Sequence, residues 1–278
     1  MPSHTRSPCH VLRCFIIASR SQVDELANRC YIRQRQIGHI LGDYARAVKR
    51  PHPNPFPIAA QWKKGVAKRM RLSHDFFLQD TLIVARLLLG KRLVRLFDGH
   101  RLAGRIVEAE AYIGEEDKGC HASVGRTPRN EVMFGPPGHA YVYFTYGMHW
   151  MFNVVTEPEG FPAAVLIRAL EPVEGIAIMA RNRHGRDGIN LCSGPAKLTQ
   201  ALGITRTLNG ANLCVRRGAE LWIEDAPPIP DDDIATSPRI GLNNTPEPWK
   251  SIPWRFYVRD SLFVSKQTTD RRQQTAKG

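Results

Sequence analysis

A chain of 278 residues, 42% hydrophobic and 23% charged, can bury a sizeable core as one large domain or two small ones. No apolar run reaches 18 residues, and the apolar patch over 14–18 sits between Arg13 and Arg20, so neither a membrane span nor a secretory leader is expected. The net charge of +13 hints at a polyanion partner, but residues 1–69 hold 13 Lys/Arg against 3 Asp/Glu and the remainder only 26 against 23. A body that binds nucleic acid therefore needs a local basic face.

Six cysteines form no C-x-x-C pair and have no histidines at zinc-ligand spacing, so they read as the reduced thiols of a cytoplasmic protein, with no metal site expected. Residues 1–69 do not read as a domain. Their apolar residues are scattered, and basic residues flank the run Pro51, Pro53, Pro55, Pro57, which favours extended chain. The expectation is a basic, disordered extension, or a segment read from an upstream start with Met70 as the true one. The body is then 70–278.

From Leu72 the pattern sharpens. Asp80 can cap a helix whose apolar stripe is Leu82, Ala85, Leu88 and Leu89, with Gly90 placed to end it. A strand over 91–97 is followed by Asp98-Gly99, a strong hairpin signal, and a return strand over 101–112. Simple alternation puts Leu102, Ile106, Glu108, Glu110 and Tyr112 on one face of that strand and Ala103, Val107, Ala109 and Ala111 on the other. Residues 113–138 hold five glycines and three prolines, a long loop of the kind that carries function. Strands are expected over 140–145, 150–156 and 163–170. Gly147 between the first two puts Tyr146 at a hairpin tip. Glu171-Pro172 reads as a helix start, with a basic loop over 183–188 and a second helix over 196–202. Short strands are expected at 213–216, 221–224, 239–241 and 255–258, a Pro/Asp loop at 227–233 and a frayed end from about Gln267. The sum is one α+β domain on a mostly antiparallel, curved sheet, with flanking helices and a protruding β-hairpin.

The chemistry gathers in 105–153. Two carboxylates two residues apart, Glu108 and Glu110, lie about 6–7 Å apart along a strand, the kind of pair that cleaves glycosidic bonds. They lead into Tyr112, and aromatic walls shift carboxylate pKa values. His121 fits a base, a ligand or a satisfied loop histidine. Of Tyr141, Tyr143 and Tyr146, the first two share a face, and the third is exposed enough to wedge between bases. Arg168 stands alone on an apolar strand and needs Glu108, Glu110 or a phosphate as partner. No phosphate-binding or dinucleotide-binding glycine motif is present, and the site strands carry no lysine to serve as an amine nucleophile.

Six blocks resemble the alkyladenine (3-methyladenine) DNA glycosylase family: GRIVEAEAYIG (104–114), CHASVGRTPRN (120–130), MFGPPGHAYVYFTYGMHWMFN (133–153), VLIRALEP (165–172), LCSGPAKL (191–198) and RFYVR (255–259). The resemblance covers roughly 72–266. It implies a monofunctional hydrolase without cofactor, acting as a monomer in the bacterial cytoplasm or nucleoid. Its substrate would be double-stranded DNA with alkylated or deaminated purines. It implies Glu110 as the base that activates water and Arg168 beside that water. Tyr112, His121, Tyr143 and Asn153 become the base pocket, and Tyr146 the intercalating residue. Arg126, Arg129, His149 and Lys197 become DNA contacts, while Glu108 and Tyr141 receive supporting and packing roles. Two other readings compete: a non-catalytic nucleic-acid-binding module, and a carbohydrate glycosidase using Glu108 with Glu110.

Overall fold

The computed structural model describes residues 70–265. The expected extension over 1–69 and the frayed end from about Gln267 lie outside the described residues. Helix α1 (His74–Phe77) leads into α2 (Thr81–Leu87), whose start is set by Asp80: Oδ1 accepts the amides of Leu82 at 2.8 Å and Ile83 at 3.2 Å. Gly90 follows with φ 85, turning the chain into β1 (Arg92–Phe97). Asp98 and Gly99, with φ 48 and 75, form a tight two-residue turn to β2 (His100–Ile113), as their identities predict. After the long loop come β3 (Ala140–Thr145), β4 (His149–Val155), β5 (Ala163–Glu174), α3 (Ile176–Asn182) and α4 (Pro195–Leu202). Strands β6 (Leu221–Glu224), β7 (Ile234–Ser237) and β8 (Arg255–Val258) complete the described order.

Every named strand pair is antiparallel, in the order β3-β4-β5-β2-β1-β6. The 14-residue β2 is the axis. Strand β5 runs along one edge, while the other edge is shared between β1 at the start and β8 near the end, with β7 beyond β8. Among the described residues no helix is long and apolar enough to cross a membrane.

Simple alternation fails along β2. The β2–β5 register shifts once at Ala103/Gly104 and twice more beside the acids: Ile106 faces Leu170, Glu108 faces Ala169, and Ala109 faces Ile167. The extra residues are Val107 on β2 and Arg168 on β5. Each bulge shifts the side-chain phase by one residue. Leu102 and Ile106 therefore share the main core with Ala109 and Ala111. Glu108 and Glu110 fall on the opposite face, not on that of Leu102 and Ile106 as expected. The same phase shift puts Val165, Ile167 and Leu170 in the core.

Helices α2, α3 and α4 supply Val84, Ala85, Met179, Leu198, Ala201 and Leu202 to the main core. The opposite face is covered at one end by the long loop, where Cys120, Ala122, Met133 and Phe134 pack on Tyr141, Val155 and Ala164. Three expected elements are corrected. Glu171 and Pro172 continue β5, Pro172 facing Gly104; the helix waits until Ile176, after Gly175 with φ 75. A Cβ on Gly104 would stand 2.8 Å from that of Leu170, so only glycine lets the strands close there. Residues 213–216 form a turn instead of a strand, because Asn212 Oδ1 captures the Cys214 amide at 2.8 Å. Residues 239–241 are not a strand either. Arg239 turns inward and Gly241 adopts φ 89, while the pairing partner of β8 is Ile234–Ser237, just past the expected loop over 227–233.

Candidate active site

One row of paired residues crosses five strands: Tyr141 faces Asn153, Asn153 faces Leu166, Leu166 faces Glu110, and Glu110 faces Arg255. Paired residues share a face, so the sheet lines up the tyrosine, the amide and the acid without help from loops. Arg168 joins this face because of its bulge. Its Nε donates to Glu108 Oε1 at 2.9 Å and its Nη1 to Glu110 Oε2 at 3.1 Å. The sequence left Arg168 with three alternative partners, and the fold gives it both acids at once.

The two acids differ in what holds them. Glu108 has no exposed surface and accepts four bonds: Arg168 Nε, Arg255 Nε at 2.7 Å, and the Ser265 amide and hydroxyl at 2.6 and 2.7 Å. Glu110, equally buried, accepts three: the Tyr112 hydroxyl at 2.9 Å, Arg168 Nη1, and the Ile240 amide at 2.7 Å. An ionised carboxylate offers about four acceptor sites: Glu108 meets four donors, three on Oε1 and one on Oε2, whereas Glu110 meets three and keeps a site on Oε1. Two buried carboxylates against two buried guanidiniums leave the cluster balanced. Burial opposes the charge on Arg168, but Glu110 and Glu108 outweigh it and lift its pKa above the ordinary arginine value.

A cleft of about 340 Å³ opens above this cluster. Tyr112, Arg168 and Ile240 line it, so all three donors to Glu110 face the cleft although the carboxylate itself does not. His121, Tyr141, Tyr143 and Asn153 line the same cleft. His121 and Tyr143 meet edge-on with centroids 4.4 Å apart. Tyr141 is buried, as packing would require, yet its hydroxyl hydrogen-bonds His121 Nδ1 at 2.9 Å. Asn153 donates to the Tyr141 carbonyl at 3.1 Å. Burial, with Arg129 adding to it, lowers the His121 pKa to about 4, so the imidazole is neutral at pH 7. Burial and the Glu110 carboxylate push the phenols of Tyr112 and Tyr143 upward, Tyr143 to about 12, which keeps both as neutral donors.

Tyr146 lies at the β3–β4 tip and is 80% exposed. Tyr146 and Gly147, with φ 52 and 66, open a three-residue turn closed by Met148, and the Tyr146 ring stands outward with exposed Phe144 and Met148 beside it. His149 is exposed at the start of β4, opposite Thr145. Arg129 is exposed, donates to the Phe144 carbonyl at 3.1 Å and sits 5.7 Å from the Tyr143 ring centroid. Arg126 is exposed and paired with Glu131, with bonds of 2.8 and 2.5 Å. Lys197 is half-buried and reaches Ser193 Oγ at 3.2 Å and Asn190 Oδ1 at 3.3 Å. The fold thus gathers Glu110, Arg168, Tyr112, His121, Tyr143 and Asn153 at one cleft with Tyr146 on its rim, while Arg126 and Lys197 are engaged with neighbours outside the lining. Among the described residues no group of three or more His, Cys, Asp or Glu is placed to hold a metal ion.

Sequence reasoning passed over five residues that shape the site. Tyr141 was legible only as packing. Arg255 and Ser265 come to Glu108 from the far end of the chain, and Asp117 and Arg239 form a buried pair beneath Tyr112. The signal available was charge at positions that the fold buries, which a single sequence does not reveal.

The antiparallel α+β sheet thus presents a buried acid–arginine cluster beneath an aromatic cleft. Residues 75–262 match the family model of methylpurine-DNA glycosylase. The chain is 52% identical over 198 residues to a protein of Carboxydothermus hydrogenoformans, covering 71% of this chain and 100% of that one. It is 54% identical over 197 residues to one of Methanocella arvoryzae (70% and 96% covered) and 52% over 196 residues to one of Chlorobaculum parvum (70% and 90%). All three carry the name "Putative 3-methyladenine DNA glycosylase". The chain belongs to the methylpurine-DNA glycosylase family.

Proposed function

We propose that this protein, acting as a monomer, takes an alkylated purine out of duplex DNA and hydrolyses its N-glycosidic bond, leaving an abasic site for base excision repair. The observation that carries the reading is the setting of Glu110, whose three donors all face one aromatic cleft. In this reading the flipped base enters between Tyr112 on one side and His121 with Tyr143 on the other. An alkylated purine is electron-poor and often cationic, so neutral aromatic faces attract it. Alkylation has already weakened its bond to the sugar, so the enzyme needs extrusion, a dry pocket and an aimed water.

Glu110 supplies the aim. A water taking its fourth acceptor site enters between Tyr112, Arg168 and Ile240, gives its proton to Glu110 and adds its oxygen to C1′. The C1′–N bond breaks, and its electron pair leaves with the base. Arg168 steadies the carboxylate and the water. With no lysine on β2 or β5, no amine forms a covalent link to the sugar, and the strand stays intact. Tyr146 fills the gap left by the extruded nucleotide. In this reading the exposed Arg129 and His149 meet phosphates, Arg129 exchanging the Phe144 carbonyl, and Arg126 and Lys197 exchange Glu131, Ser193 and Asn190. The glycosidase reading loses its second acid, because Glu108 already accepts four bonds.

The test is incubation of the full chain with methylated duplex DNA and chromatography of what is released. Free 3-methyladenine with uncut strands is the expected result. Release of no base, or strand cleavage without added alkali, would overturn the proposal. Hypoxanthine-containing and ethenoadenine-containing duplexes run alongside place deaminated and bulkier purines on the same scale.

A further inference from the structure

The ion pair between Asp117 and Arg239 lies behind the site, and the mechanism above does not use it. Both side chains are wholly buried, and the carboxylate takes Arg239 Nη1 at 2.5 Å and Nη2 at 2.7 Å. The guanidinium also donates to the carbonyl of Ala111 at 2.9 Å and of Trp249 at 3.3 Å, while its Nε has no acceptor. Its plane is occupied instead by rings: Cζ stands 4.6 Å from the centroid of Tyr112 and 5.1 Å from that of Trp254. Tyr112 lines the cleft and Arg239 does not, so the arginine backs the ring that the base would meet.

The pair joins three separate pieces of the cleft. Through Ala111 it fixes the end of β2 on which Tyr112 stands. Asp117 accepts the amides of Ile113 at 3.2 Å and Gly119 at 2.9 Å, which fixes the start of the loop leading to His121. Arg239 directly precedes Ile240, whose amide donates to Glu110 and whose neighbours Gly241 and Leu242 line the cleft. A buried ion pair is commonly no more stabilising than apolar residues of the same volume. Apolar residues would pack here, but they could not hold the Ala111 carbonyl, the Gly119 amide and the Tyr112 ring in one fixed arrangement.

We propose that Arg239, fixed by Asp117, is a positioning residue for base release, setting the Tyr112 ring and the Ile240 amide that together orient the carboxylate of Glu110. The inference rests on the reading of Glu110 as the base. It separates the rate of bond cleavage, which depends on that orientation, from affinity for DNA, which does not.

The test uses full-length Arg239→Lys, Gly119→Ala and Glu110→Gln. Lysine keeps the charge but cannot serve two carboxylate oxygens and a carbonyl as a planar fork. A Cβ on Gly119, at the cleft lining, would stand 2.7 Å from Leu242 Cδ1 and 2.9 Å from Arg239 Nη2, so it presses on both the Leu242 side chain and the guanidinium without removing a charge. Release from methylated duplex is measured at saturating enzyme in a single turnover. Affinity is measured on a duplex carrying a tetrahydrofuran abasic analogue. Release slowed about tenfold or more in Arg239→Lys and Gly119→Ala, with affinity within about threefold of the parent, is the expected result. Release at the parental rate, or release and affinity falling in step as a general structural loss would give, overturns the proposal. Should Arg239→Lys fail to fold, Gly119→Ala decides by the same criteria. Glu110→Gln keeps the two failures apart. If it releases base at the parental rate, the reading of Glu110 fails and takes this inference with it. If it is inactive while the other two match the parent, only this inference fails.

Discussion

Glu110 and Tyr146 mark two regions built on opposite principles. Glu110 has no exposed surface, lies in a row paired across five strands, and has its carboxylate held by three donors. Tyr146 is 80% exposed on a three-residue turn whose first two residues are left-handed, near exposed Phe144 and Met148. Bond cleavage needs sub-ångström aim, which only an over-determined position gives. Prying a duplex apart needs reach and an apolar surface, which a hairpin tip gives. The difference teaches that the two tasks, aiming water and holding DNA, are separable by mutation.

The largest expected effect breaks the buried side. Glu110→Gln should slow single-turnover base release by about 10²–10⁴-fold, the ordinary worth of a positioned base. Next, Arg168→Met leaves the buried carboxylates of Glu108 and Glu110 short of one guanidinium. Urea unfolding should register a loss of about 3–5 kcal/mol, the cost of breaking a buried pair. On the exposed side, Tyr146→Ala should weaken affinity for abasic-analogue duplex by about 1–3 kcal/mol, as loss of a stacking aromatic does, with the unfolding midpoint unchanged.

His121 gives the smallest effect. Its folded pKa, about 4, lies below the unfolded value near 6.5, so the unfolded chain binds the extra proton between those pH values. Its contribution is therefore constant above about pH 6.5, falls away as pH drops toward 4, and is fully lost below that. The unfolding midpoint of His121→Gln should decline less than that of the parent between pH 7 and pH 4.5. Parallel declines would place the histidine in a solvated setting.

Where local chemistry decides structure, the sequence was a good guide. Asp80 caps its helix, Asp98-Gly99 turns its hairpin, and Gly147 ends β3 where expected. It misled where a tertiary contact overrides the local signal. Pro172 reads as a helix start, yet Gly104 lets β2 approach so closely that β5 simply continues. The most consequential miss is the paired bulge at Val107 and Arg168, since no residue there announces it. Without it Glu108 and Glu110 would share a face with Leu102 and Ile106; with it they reach Arg168 on the far side. The candidate residues were found through motif resemblance, and the division of Glu108 from Glu110 follows from hydrogen-bond counts that only the fold supplies. Arg239, Arg255 and Ser265 were out of reach because each meets its partner from over 90 residues away.

The most direct test measures release and affinity in parallel for Glu110→Gln and Tyr146→Ala, using methylated duplex for release and abasic-analogue duplex for affinity. The account predicts that Glu110→Gln loses base release and binds DNA like the parent, while Tyr146→Ala loses affinity and, at saturating enzyme, keeps the larger part of its release rate. Release by Glu110→Gln at the parental rate, or release and affinity falling together in both variants, would contradict it.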